Sequence, residues 1–368
     1  MEGFTHPGLF ENPLEARVNL DNNEKFQEYD TENYLEQIFS LPGQLEQAWR
    51  EGLQNQLVLP TKPSQILICG MGGSAIGGEL ISAFSRYTSS VPILVWREYD
   101  LPMWAKNDET LVVASSYSGN TEETLSVFSQ AIQAGCMRLA ITRGGKLGDL
   151  ARQACSPVWL INHVGQPRAA VATSFGLLVG LLKRLELINL TDQDIHRTTQ
   201  LLIDLRSTLI PESPIHQNPA KRLAGQLFGR MVCIIGSDLM SPVATRWVGQ
   251  INELAKAWAQ ALSMPEMNHN SLSGSSNPYD ELAHLAVVFL QADCVHPRNR
   301  KRLELTRELF MVEGINTDFF HAPGETELEQ IWSAIPFGDF VAYYLAMLYE
   351  MDPTPIPVIE QLKQALKD

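Results

Sequence analysis

The sequence predicts an α/β protein made of two parallel-sheet units, each a three-layer αβα sandwich, with helical segments added at both ends. Three observations carry that prediction. From residue 65 onward, short apolar runs alternate with helix-length amphipathic stretches, the order that yields parallel strands joined by crossover helices. The same order restarts near residue 219, where "GRMVCIIGSD" echoes the earlier "SQILICGMGG". A chain of 368 residues with 45% hydrophobic and 19% charged side chains also carries enough apolar mass for two ordinary cores.

Residues 1–60 read as an N-terminal helical extension. "DTENYLEQIFSLPGQLEQAWREG" has helical periodicity with Asp30 or Thr31 as N-cap, and the proline-bearing "LPTKPSQ" follows as a linker. The first unit, 61–210, places strands in "QILICGMGG", "VPILVWRE", "ETLVVASS" and "MRLAIT". Its helices are "SAIGGELISAFSRY" and "TEETLSVFSQAIQAG", the latter stopping at Gly135, and the pair "TSFGLLVGLLKRLELI" and "TDQDIHRTTQLLIDLRSTLI" closes it. The second unit, 211–368, begins with the strand in "GRMVCIIGSD". A single helix follows over "SPVATRWVGQINELAKAWAQAL", with Ser241 as N-cap and Pro242 in its first turn. "HLAVVFLQAD", "PRNRKRLELTRELFMVEG" and "INTDFFHA" then repeat strand, helix and strand, and the C-terminal stretch from Phe337 supplies two helices around a proline-rich turn.

Charge and composition narrow the function. Twenty-eight Lys and Arg face 42 Asp and Glu, a net charge of −14, which argues against nucleic acid or an anionic membrane as the main partner. A phosphorylated small molecule stays compatible, because a pocket can be locally positive. No apolar run approaches the ~20 residues of a membrane span, and "MEGFTHPGLFENPLEARVNLDNNEKF" lacks the basic-then-apolar order of a signal peptide. The five scattered cysteines form no CxxC, which points to a reduced, cytoplasmic setting. The eight histidines form no HxH or HExxH, so no metal site is expected.

Ligands of open α/β sheets sit beyond the carboxyl ends of the strands, and two loops of the first unit lie there. Gly70-Met71-Gly72-Gly73-Ser74 allows close backbone approach to a ligand at a helix N-terminus. It matches neither the P-loop nor the dinucleotide spacing. Ser116-Tyr117-Ser118-Gly119-Asn120-Thr121 concentrates hydroxyls and amides where a helix begins, which is an anion site without Lys or Arg. A helix cap needs one hydroxyl, and Ser115, Ser116, Ser118 and Thr121 provide four.

"GMGGSAIGGE", "SSYSGNTEET" and "PEMNHNS" together resemble the sugar isomerase (SIS) fold. With "QPRAA", "GQINELAK" and the C-terminal "DPTP" stretch, the chain is similar, over about residues 60–365, to the bifunctional phosphoglucose/phosphomannose isomerases. The resemblance implies an aldose–ketose isomerase acting on 6-phosphosugars through a cis-enediolate, without metal or organic cofactor. It implies that Ser74, Ser116, Ser118 and Thr121 hold the phosphate, with Gly73 beside them. It further implies Glu253 as the base, Arg168 as stabiliser of the enediolate, and His269 as the ring-opening residue, donated across a homodimer interface. Thr354 and Lys363 are weaker candidates at the sugar end. Ser271 departs from the acidic residue that members often carry after "NHN". The alternatives are a non-catalytic SIS sensor of sugar phosphates and an isomerase of another phosphosugar.

The residues read alone give a different weight to some of these positions. On the expected helix 243–262, Val243, Trp247, Val248, Ile251, Leu254 and Trp258 share one face, which turns Glu253 toward solvent with Lys256 as an i+3 partner. His269 falls in a loop between two Asn residues whose amides could fix its tautomer. Arg168, after Pro167, is an ordinary salt-bridge former, though its planar fork also suits an enediolate.

Overall fold

The computed structural model describes residues 18–366. The expectation of no signal peptide falls mostly on residues outside that range. Three helices come first: α1 (Phe26–Tyr29), α2 (Tyr34–Phe39) and α3 (Leu41–Gln54). Neither Asp30 nor Thr31 is the N-cap, which falls at Asn33, because the helix starts later than expected; Asp30 still accepts from the backbone amides of Tyr34 and Leu35 at 2.6 and 3.1 Å in the first turn of α2. The segment is no loose extension. A Cβ added to Gly180 would lie 2.7 Å from the Gly52 Cα, so α3 meets α7 (Val171–Arg184) almost backbone to backbone.

The first unit runs β1 (Gln65–Cys69), α4 (Gly72–Ser85), β2 (Ile93–Trp96), β3 (Thr110–Ser116), α5 (Glu122–Gln133), β4 (Met137–Thr142), α6 (Gly145–Gln153), β5 (Val158–Leu160), α7 and α8 (Asp192–Leu209). The second runs α9 (Pro219–Leu227), β6 (Met231–Ser237), α10 (Met240–Leu254), β7 (Ala259–Met264), α11 (Tyr279–Leu282), β8 (Leu285–Gln291), α12 (Pro297–Val312), β9 (Asn316–His321), α13 (Glu327–Leu348) and α14 (Pro357–Ala365). Among the described residues the strands form two parallel sheets, ordered β2-β1-β3-β4-β5 and β7-β6-β8-β9. β1 and β6 therefore correspond, as do β3 and β8, and β4 and β9. Every residue of β3 is buried, which explains its unbroken apolar run: a central parallel strand is covered on both faces.

Two expected features are corrected. The stretch 241–262 is not one helix. α10 ends at Leu254, Lys256 takes a left-handed φ of 53°, and the chain continues as the edge strand β7, parallel to β6. A left-handed residue after the last turn is a common helix stop, here supplied by lysine, whose Nζ donates to the Leu254 carbonyl at 3.1 Å. Nor is Ser241 the N-cap. The helix starts at Met240 without a side-chain cap, and the Ser241 hydroxyl pairs with Ser263 instead.

Contrary to the expectation of no span-length apolar run, α13 is long and apolar enough to cross a membrane by length and composition. However, 94% of its apolar window is buried inside the protein, where it packs against α8, α9 and α10. It is the central helix of the core.

Candidate active site

The phosphate-type loops meet at the carboxyl ends of β1 and β3. The Tyr117 amide donates to Ser74 Oγ at 3.2 Å, joining the two loops. Ser116 Oγ lies 2.9 Å from Thr121 Oγ1 and accepts from the Gly119 amide at 3.1 Å, while the Asn120 amide donates to Ser118 Oγ at 3.2 Å. Gly119 has φ +70°, and a Cβ there would fall 1.9 Å from the Gly144 carbonyl oxygen. The loop is thus a compact turn that no other residue fits. Thr121 stands at the N-cap of α5 in extended conformation, yet makes no side-chain cap bond. That leaves first-turn amides facing the cleft, the electrostatic setting that favours an anion.

Arg168 enters from the turn Pro167–Ala170 ahead of α7 and is 3% exposed. Gly73 is what lets this turn come close: a Cβ on it would sit 3.0 Å from the Arg168 Cα. Arg168 Nη2 donates to the Pro353 and Thr354 carbonyls at 2.7 and 2.6 Å, and Nη1 to Gln166 Oε1 at 3.2 Å. Nη1 also lies 3.7 Å from Glu253 Oε2. Thr354 is 1% exposed, and its hydroxyl has no hydrogen-bond partner among the described residues.

Glu253 is not the outward residue that the helical wheel suggests. Trp258, counted there as apolar-face, lies beyond the helix and is 73% exposed. Arg246, Gln250 and Glu253, spaced i, i+4 and i+7, form a polar stripe of α10 along the cleft. Arg246 and Gln250 are buried, and Glu253 retains 28% side-chain exposure. Its ionic partner is Arg168, not Lys256. A cavity of about 120 Å³ is lined by Gly72, Gly73, Arg168, Arg246, Gln250 and Glu253, among others. A larger hollow of about 800 Å³ borders Phe84, Thr88 and Leu187. It lies toward the C-terminus of α4, hence the amino ends of the strands, the wrong end for a ligand of this fold.

Two expected residues are not brought to this cleft within the chain. His269 ends an exposed turn after β7. Its flanking amides do not set its tautomer: Asn268 pairs with Thr306 and Arg302, and Asn270 with Glu266 and Ser271. Lys363 is exposed on α14, a helix with no buried residue.

Several neighbours escaped the sequence reading. Arg246 makes a bidentate ion pair with Asp339 of α13 at 3.1 and 2.7 Å and donates through Nη1 to the Arg168 carbonyl at 2.6 Å. Tyr34 of α2 packs under the Arg168 guanidinium. Lys256 donates to the Asp352 carbonyl. Burial and the nearby Arg168 cation lower its pKa to about 8, against the partial offset of Asp352 and Glu253. The polar i, i+4, i+7 stripe on an otherwise apolar helix was the available signal for Arg246 and Gln250. Asp339 carried a signal of its own, as the lone charge in the apolar run Ile331–Leu348; Tyr34 carried none, because it looks like a core helix position.

Comparison with known proteins gives the family. Residues 216–366 match the bacterial phospho-glucose isomerase C-terminal SIS domain. The chain is 38% identical over 338 residues to a bifunctional phosphoglucose/phosphomannose isomerase of Caldicellulosiruptor bescii, covering 91% of this chain and 99% of that one. A relative of the same description from Aquifex aeolicus is 33% identical over 304 residues, covering 82% and 90%. Among solved structures, a hypothetical protein of Thermus thermophilus superposes with a TM-score of 0.71 at 13% identity, over 95% of both chains, a likeness of fold. The chain belongs to the bifunctional phosphoglucose/phosphomannose isomerase family.

Proposed function

We infer that the protein interconverts glucose 6-phosphate and mannose 6-phosphate with fructose 6-phosphate, as an intramolecular oxidoreductase with one site for both aldoses. The observation that carries this reading is the Arg168–Glu253 pair, 3.7 Å apart, in a cleft shared with the glycines of the β1–α4 loop.

In the proposed mechanism Ser74, Ser116, Ser118, Thr121 and the first-turn amides of α5 anchor the phosphate, so that remote binding positions C1 and C2. Glu253 takes the proton from C2 of the opened aldose. The C2–H electron pair becomes the C1=C2 bond, and the carbonyl electrons move onto O1. Arg168 stabilises that oxyanion. A proton passes from O2 to O1, and the carboxylic acid of Glu253 returns its proton to C1, leaving the ketose carbonyl at C2. Glucose and mannose 6-phosphates differ only at C2, and the enediolate has lost that stereocentre, so one intermediate serves both. Thr354, buried beside Arg168, faces the sugar end. His269, exposed in its own subunit, opens the ring in the partner's site of a homodimer. Lys363 keeps only the weaker role of approaching the sugar from α14.

The test is fructose 6-phosphate formation from each aldose phosphate in excess EDTA. Turnover of both is expected. Turnover of neither, with phosphosugar binding intact, makes the site a sensor. Glu253→Gln should bind substrate normally and lose kcat roughly 10³-fold; retained turnover removes Glu253 from the role. Light scattering after size exclusion should give a dimer, and a monomer with full activity sinks the shared His269.

A further inference from the structure

The side chain that backs Arg168 comes from the N-terminal segment, which has no part in the mechanism above. Tyr34 begins α2 and is 0% exposed. Its ring centroid lies 5.0 Å from the Arg168 guanidinium carbon. Its hydroxyl accepts from Gln250 Nε2 at 3.3 Å, one turn before Glu253 on α10. Tyr34 is itself pinned: its amide donates to Asp30, and Asp30 Oδ2 accepts from the Tyr343 hydroxyl of α13 at 3.2 Å. One buried phenol therefore touches both the cation and the helix that bears the carboxylate.

The hydrogen bonds of Arg168 to Pro353, Thr354 and Gln166 run from the edge of its fork. Edge bonds fix a planar group within its plane. The guanidinium carbon lies over the face of the Tyr34 ring, a contact that the edge bonds do not supply. We propose that Tyr34 is a positioning residue of the isomerase, whose ring face sets the tilt of the Arg168 guanidinium beside Glu253. The inference rests on the isomerase reading above. A cation–π contact is weak in water and strong where both partners are desolvated, as they are here. A guanidinium that meets a developing oxyanion gains most from being aimed beforehand, since reorientation during the reaction costs rate. Tyr34 thus acts on kcat, while the phosphate loop governs affinity.

The experiment compares the parent with three replacements at position 34, measuring kcat and KM for glucose 6-phosphate together with thermal unfolding. Tyr34→Phe keeps the ring face and should stay within about threefold of the parent kcat. Tyr34→Leu should lose kcat roughly ten- to thirtyfold, the weight of a desolvated cation–π contact, with KM within about twofold. Because leucine leaves a hole in a sealed site, pentafluorophenylalanine at 34 is the decisive variant. It keeps nearly the same volume and reverses the ring quadrupole. It should melt close to Tyr34→Phe and lose kcat like Tyr34→Leu. A fluorinated protein as fast as Tyr34→Phe overturns the proposal, as does a Tyr34→Phe protein as slow as Tyr34→Leu. A parent that turns over neither sugar sinks the isomerase reading first and the positioning role with it. An active parent with an unimpaired fluorinated variant sinks the positioning role alone.

Discussion

The two halves of the molecule share one strand order and treat the same place in opposite ways. At the carboxyl ends of β1 and β3, a hydroxyl of the first loop receives an amide of the second: Tyr117 N to Ser74 Oγ at 3.2 Å. At the matching ends of β6 and β8, the partner of the amide is a carboxylate: His296 N donates to Asp238 Oδ2 at 2.9 Å, and Asn299 Nδ2 donates to the same oxygen at 3.1 Å. The helix starts differ likewise. α5 has no side-chain cap, whereas α12 is capped by His296 Nδ1, which accepts from the Arg298 amide at 3.1 Å. The first half leaves that helix start without a side-chain cap, and the second fills the matching position with its own carboxylate. The second half contributes from elsewhere, through the last turns of α10 that carry Glu253. α4 and α10 follow corresponding strands and pack against each other. One brings its N-terminus to the cleft and the other its C-terminal turns.

If that contrast is right, moving the carboxylate should move the function. Ser74→Asp gives the first half the device of the second. We expect KM for both aldose phosphates to rise about 100-fold, from repulsion of a dianion in a low-dielectric site, with kcat falling much less. Steady-state kinetics would test it, and an unchanged KM would mean that the phosphate binds elsewhere. The converse change, Asp238→Ala, leaves the His296 amide and the Asn299 amide group without their acceptor. It should cost about 1–3 kcal/mol in urea unfolding while kcat/KM stays within about threefold; a large kinetic loss would mean that the second half also holds substrate.

The smallest effect concerns Lys256, where the two halves touch the Asp352–Thr354 turn. Its folded pKa of about 8 lies below the ordinary 10.5. Between those values the unfolded chain holds a proton that the folded chain has released, so stability rises with pH across that window. Below pH 8 both states are protonated and the cost of holding the cation is fully present. Lys256→Gln should flatten that rise in unfolding midpoint between pH 8 and 10. A wild-type slope that survives the substitution belongs to another group.

Much of this was legible in the chain. Apolar runs located β1, β2, β3, β4, β6 and β8, the repeated element order located β9, and the crowd of hydroxyls in Ser115–Thr121 marked the loop that the structure leaves without a side-chain cap. β7 was not legible, because "AKAWAQAL" is rich in helix formers and the helix stop is a left-handed lysine, where a glycine would have announced it. β5 spans three residues, too short for a periodic signal. The setting of Glu253 was hidden for another reason: α10 is buried on a second, polar side through Arg246 and Gln250, and a wheel of apolar residues alone assigns that side to solvent. The contribution of Tyr34 was invisible because it arises from contacts to residues more than 130 positions away.

The contact between Gly52 and Gly180 bears on how the chain tolerates change. Where two helices meet without side chains between them, the interface has no slack to repack. A methyl group on Gly180 would lie 2.7 Å from Gly52, and one on Gly176 would lie 2.7 Å from the Ala48 Cβ. The proline-bearing linker after α3 looks like a seam at which the molecule could be divided, yet the helix before it is wedged into the first unit and carries the segment that reaches Arg168. Trimming at that seam would strip one wall from α7 and the floor from the cleft together. Engineering of this scaffold by shortening or shuffling its ends therefore has to keep residues from about Asp30 to Gln54 and α7 as one inseparable piece.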